Sequence, residues 1–325
     1  MRIEQHQRNM LHQLFPHGEI YAVTDCEWLE TAAAYYGLTG LKLADASKLP
    51  PDANVVLLLR HQLVSSGLRK LFPFAKVLVI PIINFDPTLE AALYTQKLVM
   101  ITDYRSACAQ GRYWVDNIKN QTGPLVFYTD DAEETGSGPE RTELVCSFSD
   151  DLSAAAVLEP VIEPGQWVSV GSFCELSLTT DSHDQPHQFS LDGTAIASGV
   201  LVARDRHFSE IGDTRIRAAD KLRGELVAAA PISLRLDGGV LTEVRAAGRD
   251  FTDAVREVTN PEHGLQALEL GIGTNQGVLP EVKWQINSQL NEGAGPVHLG
   301  FGEGTTGAHM DFIVAQSNHR FLVSA

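Results

Sequence analysis

The chain has 325 residues, a hydrophobic content of 44% and a formal net charge of −16 at pH 7. This length predicts roughly two domains, each with its own core. The acidic balance and the scattered arginines argue against binding to nucleic acid or to an anionic membrane surface, because both carry negative charge.

The first residues, MRIEQHQRNMLHQLFPHGEI, are polar, and we predict neither a signal peptide nor a membrane anchor from them. Cys26, Cys108, Cys146 and Cys174 lie far apart without CxxC spacing, which disfavours a zinc knuckle or a disulfide framework. We interpret them as free thiols in a reducing compartment and expect a cytoplasmic protein.

The first part of the chain alternates strand-like and helix-like segments. The strand-like runs are IYAVTD, NVVLLLRH and AKVLVIPII, and the helix-like segments are CEWLETAAAYYG, LVSSGLRKLF and a longer stretch after Pro87. This order predicts a mostly parallel, covered sheet, that is, a Rossmann-like α/β domain over residues 1–140. No G-x-G-x-x-G sequence opens a helix, so no dinucleotide site is predicted and the sheet is assigned a structural role.

The acidic, Gly/Ser-rich stretch 130–143 marks the predicted domain boundary. Residues 141–325 then follow a different pattern, with short strand-like runs such as CELSLTT, PISLRL, LELGIG and HMDFIV. RDFTDAVREV is the one helix predicted there, with Asp250 or Thr252 available as its cap. The second domain is therefore predicted to be β-rich.

Three strands of the second domain share one feature. By the two-residue strand period, each places a metal-competent side chain on one face, and two of them follow it with glycines on the same face. The members are Glu269, Gly271 and Gly273 in ELGIG, His298, Gly300 and Gly302 in HLGFG, and His309 and Asp311 in AHMDFIV.

These residue types indicate a metal site beside an open cleft. Imidazole and carboxylate together suit zinc, manganese, cobalt or iron(II), so one divalent metal is the predicted cofactor. Its predicted ligands are Glu269, His298, His309 and Asp311. Glycine weakens a strand, and its repetition here indicates a concavity where a ligand approaches the backbone. The predicted substrate contacts are Gly271, Gly273, Gly300 and Gly302.

The segments ELGIGTN, GPVHLGFG and AHMDFIV resemble, in this order, the metal-binding strands of the thermophilic-type (T/S) metallo-aminopeptidases and of the related dihydroxypyridine dioxygenases. The resemblance covers roughly the last sixty residues and implies an α/β N-terminal domain followed by an aminopeptidase-like C-terminal domain. In the peptidases, the four matched ligands bind two metal ions that activate water and polarise the scissile carbonyl. The resemblance to these families also implies a homodimer.

The sequence departs from the peptidases at two catalytic parts. Their bridging glutamate corresponds to Thr194 in SLDGTAIASG, and threonine is a poor bridging ligand. Their long loop with an assisting tyrosine is replaced by EGTTG. The dioxygenases, which hold one iron, have a histidine at the position of Glu269.

These departures favour an accessory peptide-binding protein with a degenerate cleft, which assists the maturation of a peptide natural-product precursor. No catalytic residue is assigned, and the expected partner is a peptide or a small molecule. The alternatives are a metal-dependent aminopeptidase or hydrolase, a mononuclear iron ring-cleaving dioxygenase, and a structural or oligomerisation module.

Other polar motifs are given simpler interpretations. His183, Asp184 and His187 in DSHDQPHQF are expected in a solvated turn, and RDRHF (204–208) is expected to be exposed. Cys174 has no histidine at nucleophile spacing and is predicted to be a small buried hydrophobic residue.

Overall fold

A computed structural model describes most of the chain, namely residues 10–27, 37–120, 123–130, 141–149, 152–158, 160–177, 188–204, 210–260, 263–304 and 307–322. Its α-helices are α1 (Ser66–Arg69), α2 (Leu89–Ile101), α3 (Tyr104–Asn120), α4 (Glu210–Ala228) and α5 (Thr252–Thr259). Short 3-10 helices lie at Met10–Gln13, Leu43–Lys48, Ile82–Asn84, Gln276–Glu281 and Gln289–Asn291. No helix among these is long and apolar enough to cross a membrane.

The strands form three sheets. In chain order they are β1 (Ile20–Thr24), β2 (Thr39–Lys42), β3 (Asn54–Leu59), β4 (Lys76–Pro81), β5 (Leu125–Tyr128), β6 (Glu143–Phe148), β7 (Ala155–Ala156), β8 (Trp167–Ser169), β9 (Phe173–Ser177), β10 (Phe189–Ala197), β11 (Gly199–Ala203), β12 (Ile232–Asp237), β13 (Val240–Ala246), β14 (Arg249–Asp250), β15 (Ala267–Gly273), β16 (Val297–Phe301), β17 (His309–Val314) and β18 (Asn318–Phe321). Parallel and antiparallel sheets occur together with helices, which confirms the predicted α/β class.

The parallel sheet has the order β2-β1-β3-β4-β8. Its central strand β3 is buried along its whole length, as expected for a strand covered on both faces. Val55, Leu57 and Leu59 enter one apolar core, while Val56 and Leu58 enter another that also holds side chains of α2. The three predicted strands of this sheet are confirmed.

The predicted helices of the first part have different outcomes. The long stretch after Pro87 forms α2 and α3, whereas LVSSGLRKLF forms only the four-residue α1, with Ser65 Oγ accepting from Leu68 N–H at 3.1 Å. CEWLETAAAYYG lies largely outside the described residues.

Two antiparallel sheets follow, with orders β14-β13-β12-β10-β6-β5-β18 and β11-β17-β16-β15-β9-β7. Strands from opposite sides of the predicted boundary pair with each other. β5 pairs with β6 and β18 in the seven-stranded sheet, and β8 pairs with β4 in the parallel sheet. The division into residues 1–140 and 141–325 stays a prediction.

One helix of the second part was missed by the sequence analysis, which expected only RDFTDAVREV to be helical. The chain forms α4 over 19 residues before α5. The apolar side chains Ile216, Ala219, Leu222 and Leu226 lie at helical spacing and enter the large core beneath the two antiparallel sheets. Phe251 occupies the N-cap position of α5, and the carboxylate of Asp250 instead accepts from the backbone and hydroxyl of Thr252 at 2.9 and 2.7 Å.

The outer edge of the six-stranded sheet is closed by side chains. Asn287 Nδ2 donates to the Val202 carbonyl at 2.7 Å, and its Oδ1 accepts from the Val202 N–H at 3.0 Å. Arg223 Nε donates to the Val200 carbonyl at 2.9 Å. These bonds satisfy edge groups of β11 that a peptide strand would otherwise use.

Buried hydrogen bonds connect helix α2 to the segment before β16. Tyr94 Oη donates to Asn291 Oδ1 at 2.7 Å, and the hydroxyls of Thr95 and Ser288 lie 2.8 Å apart. Burial raises the pKa of Tyr94 to about 12, so its hydroxyl keeps the proton that it donates. The α/β part of the chain therefore fixes residues 288–291.

Candidate functional site

Three neighbouring strands bring the four predicted metal ligands together. Glu269 and Asp311 both pair with Gly300, from opposite sides of β16, and His298 pairs with Gly271 on β15. The intervening side chains point into the core, as the strand period predicts; they are Leu270, Ile272, Leu299, Phe301, Met310 and Phe312. We call Glu269, His298, His309 and Asp311 the imidazole–carboxylate cluster.

The members of the cluster contact one another directly. His298 Nε2 lies 3.0 Å from Glu269 Oε1, and His309 Nε2 lies 2.9 Å from Asp311 Oδ1 and 3.3 Å from Glu269 Oε2. The exposed fractions of the side chains are 0% for His298, 2% for Asp311, 17% for Glu269 and 19% for His309. Only the Glu269–His309 side of the cluster therefore reaches solvent.

Each histidine is oriented by a backbone carbonyl. The Nδ1 atom of His298 lies 3.2 Å from the Glu292 carbonyl, and that of His309 lies 2.7 Å from the Gly302 carbonyl. A carbonyl only accepts, so Nδ1 carries hydrogen and Nε2 faces the carboxylates. This is the arrangement that holds an imidazole for metal binding, and without a metal it forms an imidazolium–carboxylate pair.

The electrostatics favour the charged forms of the cluster. Burial alone would raise the pKa of Glu269, but hydrogen bonds with His298 and His309 outweigh it and lower that pKa. Burial alone would lower the pKa of His309, but the charge of Asp311 raises it well above the usual range. The pKa of His298 is also raised, because its hydrogen bond with Glu269 outweighs burial.

The cluster fits a divalent cation by its donor set. Single ligand atoms of Glu269, His309 and Asp311 lie within 4.8 Å of one another, with an imidazole nitrogen and carboxylate oxygens facing the same space. His298 contacts this triad through Glu269. Zinc, manganese, cobalt and iron(II) accept such mixed ligands.

The predicted glycines make room for the chain's own atoms. A Cβ on Gly271 would lie 2.0 Å from the His298 ring, and one on Gly300 would lie 2.8–2.9 Å from Glu269, His309 and Asp311. A Cβ on Gly273 would lie closest to the Gly295 carbonyl oxygen, and a Cβ on Gly302 would lie closest to the Ala308 carbonyl oxygen. Substrate contact at these four glycines stays a prediction, whereas their packing role is visible directly.

The two departures from the peptidase pattern have structural counterparts. Thr194 lies on β10 of the seven-stranded sheet, where it pairs with Glu143 and Arg235, and the cluster belongs to the other antiparallel sheet. Strands β16 and β17 are joined by residues 302–308 alone. Gly302 has a φ of 81°, in the left-handed region that favours glycine, and its carbonyl is the one that orients His309.

Sequence reasoning missed Glu292, which lies beside the cluster. It is 5% exposed, and its carbonyl is the one that contacts His298. Burial raises the pKa of its carboxyl group well above the usual range, and the charges of Asp311 and Glu269 raise it further. Its position in the glycine-rich NEGAG is typical of an exposed turn, so no local signal indicates its burial.

A groove between α4 and α5 was also missed, because the sequence analysis did not predict α4. Its volume is about 730 Å³, within the usual range for ligand sites. Leu222, Phe251 and Val258 are buried and form an apolar floor. The charged side chains on its rim are Arg215, Lys221, Glu225, Arg249, Asp250 and Glu257.

The groove and the cluster are structurally linked. The carbonyl of Val258, on the groove floor, accepts from the backbone N–H of Ala308 at 2.9 Å, and Ala308 directly precedes His309. At the rim, Arg249 lies over the Phe251 ring at 4.6 Å and contacts Glu225 at 3.5 Å.

The remaining motifs agree with their simpler interpretations where they are described. All four cysteines are buried and free, and burial raises the pKa of Cys174 to about 12, which disfavours a thiolate nucleophile. His183, Asp184 and His187 lie outside the described residues, as does most of RDRHF.

The sheets and the cluster define a mixed α/β protein that holds two imidazole and two carboxylate groups in one partly buried site. The chain belongs to the family described as Crocagin biosynthetic protein CgnE/B, whose model matches residues 17–322. This is a family of natural-product biosynthesis. A search of curated proteins gave no match. The resemblance to metallo-aminopeptidases and dioxygenases stays a prediction.

Proposed function

We propose that this chain is an accessory protein of crocagin-type biosynthesis that binds a peptide precursor or a peptide-like intermediate in the groove between α4 and α5. The observation that carries the proposal is the groove itself, with its apolar floor and its rim of both charges. A peptide presents apolar side chains together with charged and amide groups, and this rim complements both signs. We also propose that the protein is cytoplasmic and forms a homodimer.

The groove gives this proposal a direct test. Ala218 is exposed on α4 and lines the groove, so Ala218→Trp fills it without disturbing the core. Short random peptides are selected by phage display on the wild type, and fluorescein-labelled copies are titrated by fluorescence anisotropy in EDTA. We expect Ala218→Trp to weaken binding by about tenfold or more, a loss of about 1.4 kcal/mol.

The matched control is Ala228→Trp, at the exposed C-terminal end of the same helix and outside the groove. This variant should bind the selected peptides like the wild type. If Ala218→Trp bound the peptides as tightly as the wild type, the binding site would lie outside the groove. If no peptide saturated the wild type, the proposed peptide-binding function would be wrong.

Metal-dependent hydrolysis is the second candidate, because Glu269, His309 and Asp311 form a metal-competent triad. A bound divalent cation would supply an activated water and would polarise a carbonyl. The residues of the chain would orient the ligands, since the carbonyl of Gly302 fixes the His309 ring. A substrate would enter from the side of Glu269 and His309, because these two side chains are 17% and 19% exposed.

This candidate predicts about one metal ion per chain in protein purified without an affinity tag, measured by elemental mass spectrometry. The double variant His309→Ala/Asp311→Ala should lose the ion. Release of the N-terminal residue from a free peptide, but not from its acetylated copy, would support the aminopeptidase, and oxygen uptake would support the dioxygenase. A folded wild type that cannot be loaded with metal would exclude both.

A further inference from the structure

The seven-stranded sheet ends at β18, and the outer edge of this strand is open. On its inner side β18 pairs with β5, and no described strand lies on its other side. The other outer strands of the two antiparallel sheets are protected. Side chains of Asn287 and Arg223 close the edge of β11, and β7 and β14 are only two residues long. Within the described chain, β18 is therefore the edge of these sheets best suited to accept a further strand.

The register between β5 and β18 shows which main-chain groups face outward. The Leu322 N–H donates to the Pro124 carbonyl at 2.9 Å, in register with the strand pairs that precede it. Hydrogen-bonded positions alternate along an antiparallel pair, so the N–H and carbonyl groups of His319 and Phe321 point away from β5. No described residue forms a main-chain hydrogen bond with these groups. They are therefore available to a strand that pairs with β18.

Side chains on the core face hold β18 in its extended form. The His319 ring lies 4.5 Å from the Trp114 ring, and the Phe321 ring lies 6.3 Å from it. Their partners on β5, Phe127 and Leu125, belong to the large apolar core. Because the strand is already ordered, a partner that pairs with it does not have to order it first, which favours binding.

The opposite face of β18 carries a cation and an apolar side chain. Arg320 and Leu322 are exposed and lie two residues apart, on the same face of the strand. Arg320 lies over the Tyr128 ring at 5.0 Å and forms no ion pair with a described carboxylate. Asp130 lies at the other end of the strand, where its carboxylate accepts from Asn318 at 2.6 Å. A carboxylate from a partner would therefore find its counter-charge at Arg320.

We infer that β18 binds an extended acidic segment of a partner polypeptide, which adds to the seven-stranded sheet as a further strand. The segment places an acidic side chain beside Arg320 and, two residues away, an apolar side chain beside Leu322. A second copy of the chain fits this edge less well. If two β18 strands paired through all their outward groups, the two Arg320 side chains would lie opposite each other, and like charges there are destabilising.

The inference goes beyond the groove proposal, because β18 does not line the groove between α4 and α5. It is tested on the full chain with Ala218→Trp, so that the groove is filled. The probe is a fluorescein-labelled hexapeptide, Thr-Val-Glu-Val-Leu-Thr, titrated by fluorescence anisotropy beside a copy with lysine in place of glutamate. We expect the glutamate peptide to bind about fivefold more tightly, because opposite charges attract across paired strands. Arg320→Glu should reverse this preference.

The outward main-chain groups are tested by His319→Pro and its matched control His319→Ala. Both variants remove the imidazole ring, but only proline removes the outward N–H, and an edge strand tolerates proline at such a position. We expect His319→Pro to bind the glutamate peptide about fivefold or more weakly than His319→Ala does, the effect of losing about one hydrogen bond.

Three results would overturn the inference: a glutamate peptide that does not saturate the protein, equal binding by His319→Pro and His319→Ala, or an unchanged preference in Arg320→Glu. If His319→Pro does not fold, a probe with proline in place of both valines decides, and undiminished binding of that probe overturns the inference. Sedimentation velocity tests the other occupant. A dimer that dissociates in His319→Pro but not in His319→Ala would assign the edge to a second copy and overturn the inference.

Peptide binding in the groove is measured separately on the wild type, as described above. A failure of the β18 titration leaves the groove proposal standing, and a failure of the groove titration leaves the β18 inference standing.

Discussion

Replacement of His298 by alanine should lower the free energy of unfolding by about 3–5 kcal/mol, the range for removing one member of a buried ion pair. The imidazole is fully buried, lies 3.0 Å from Glu269 and packs edge-on against Phe173 at 4.9 Å. Its loss leaves the Glu269 carboxylate with fewer partners and opens a cavity. Urea unfolding in EDTA measures this effect without a contribution from bound metal.

His17 provides the control, since it is exposed and its alanine variant should change stability by less than about 0.5 kcal/mol. The double variant His298→Ala/Glu269→Gln should recover part of the loss, because it removes the uncompensated charge as well. If His298→Ala were no less stable than His17→Ala, the cluster would not be an ion pair in the folded protein.

The second large effect is expected for Gly271→Ala, which should destabilise the protein by about 2 kcal/mol or more. The new Cβ would lie 2.0 Å from Cε1 and 2.1 Å from Nε2 of His298. That ring cannot move freely, because its Nδ1 contacts the Glu292 carbonyl and the ring packs against Phe173. The midpoint of thermal unfolding, followed by circular dichroism, measures the effect.

The matched control is Gly224→Ala, at an exposed position in the middle of α4, where an added Cβ meets nothing within 4 Å. There alanine should stabilise the protein by about 0.5–1 kcal/mol, because glycine loses more conformational freedom in a helix. Opposite signs at the two positions would support the crowding at His298, and a neutral Gly271→Ala would contradict it.

The strand period explains why much of the cluster was predictable from sequence. Glu269, His298, His309 and Asp311 alternate with apolar residues, and alternation fixes the face of each side chain without knowledge of the fold. The sequence order of the three strands is also their order in space, β15, β16 and β17, so the side chains meet. Local pattern and tertiary structure agree there.

The two features that sequence analysis missed depend on contacts between distant segments. Glu292 is buried because Gly293 and Gly295 pack against Ser172 and Val314, and nothing in NEGAG itself indicates those partners. Helix α4 was missed because its apolar stripe is interrupted by Arg and Asp residues, so its period is weak. Without that helix the groove has no second wall, so the groove could not be predicted from the sequence.

Strands β5 and β8 pair with strands on the other side of the predicted domain boundary, and this affects any attempt to divide the chain. A cut between β5 and β6 would leave β5 in a fragment whose pairing partners, β6 and β18, belong to the other fragment. It would equally leave β8 separated from β4. Two such fragments are each incomplete alone but complementary in their strand edges, so co-expression should reconstitute one molecule from two polypeptides, as in split-protein reporters.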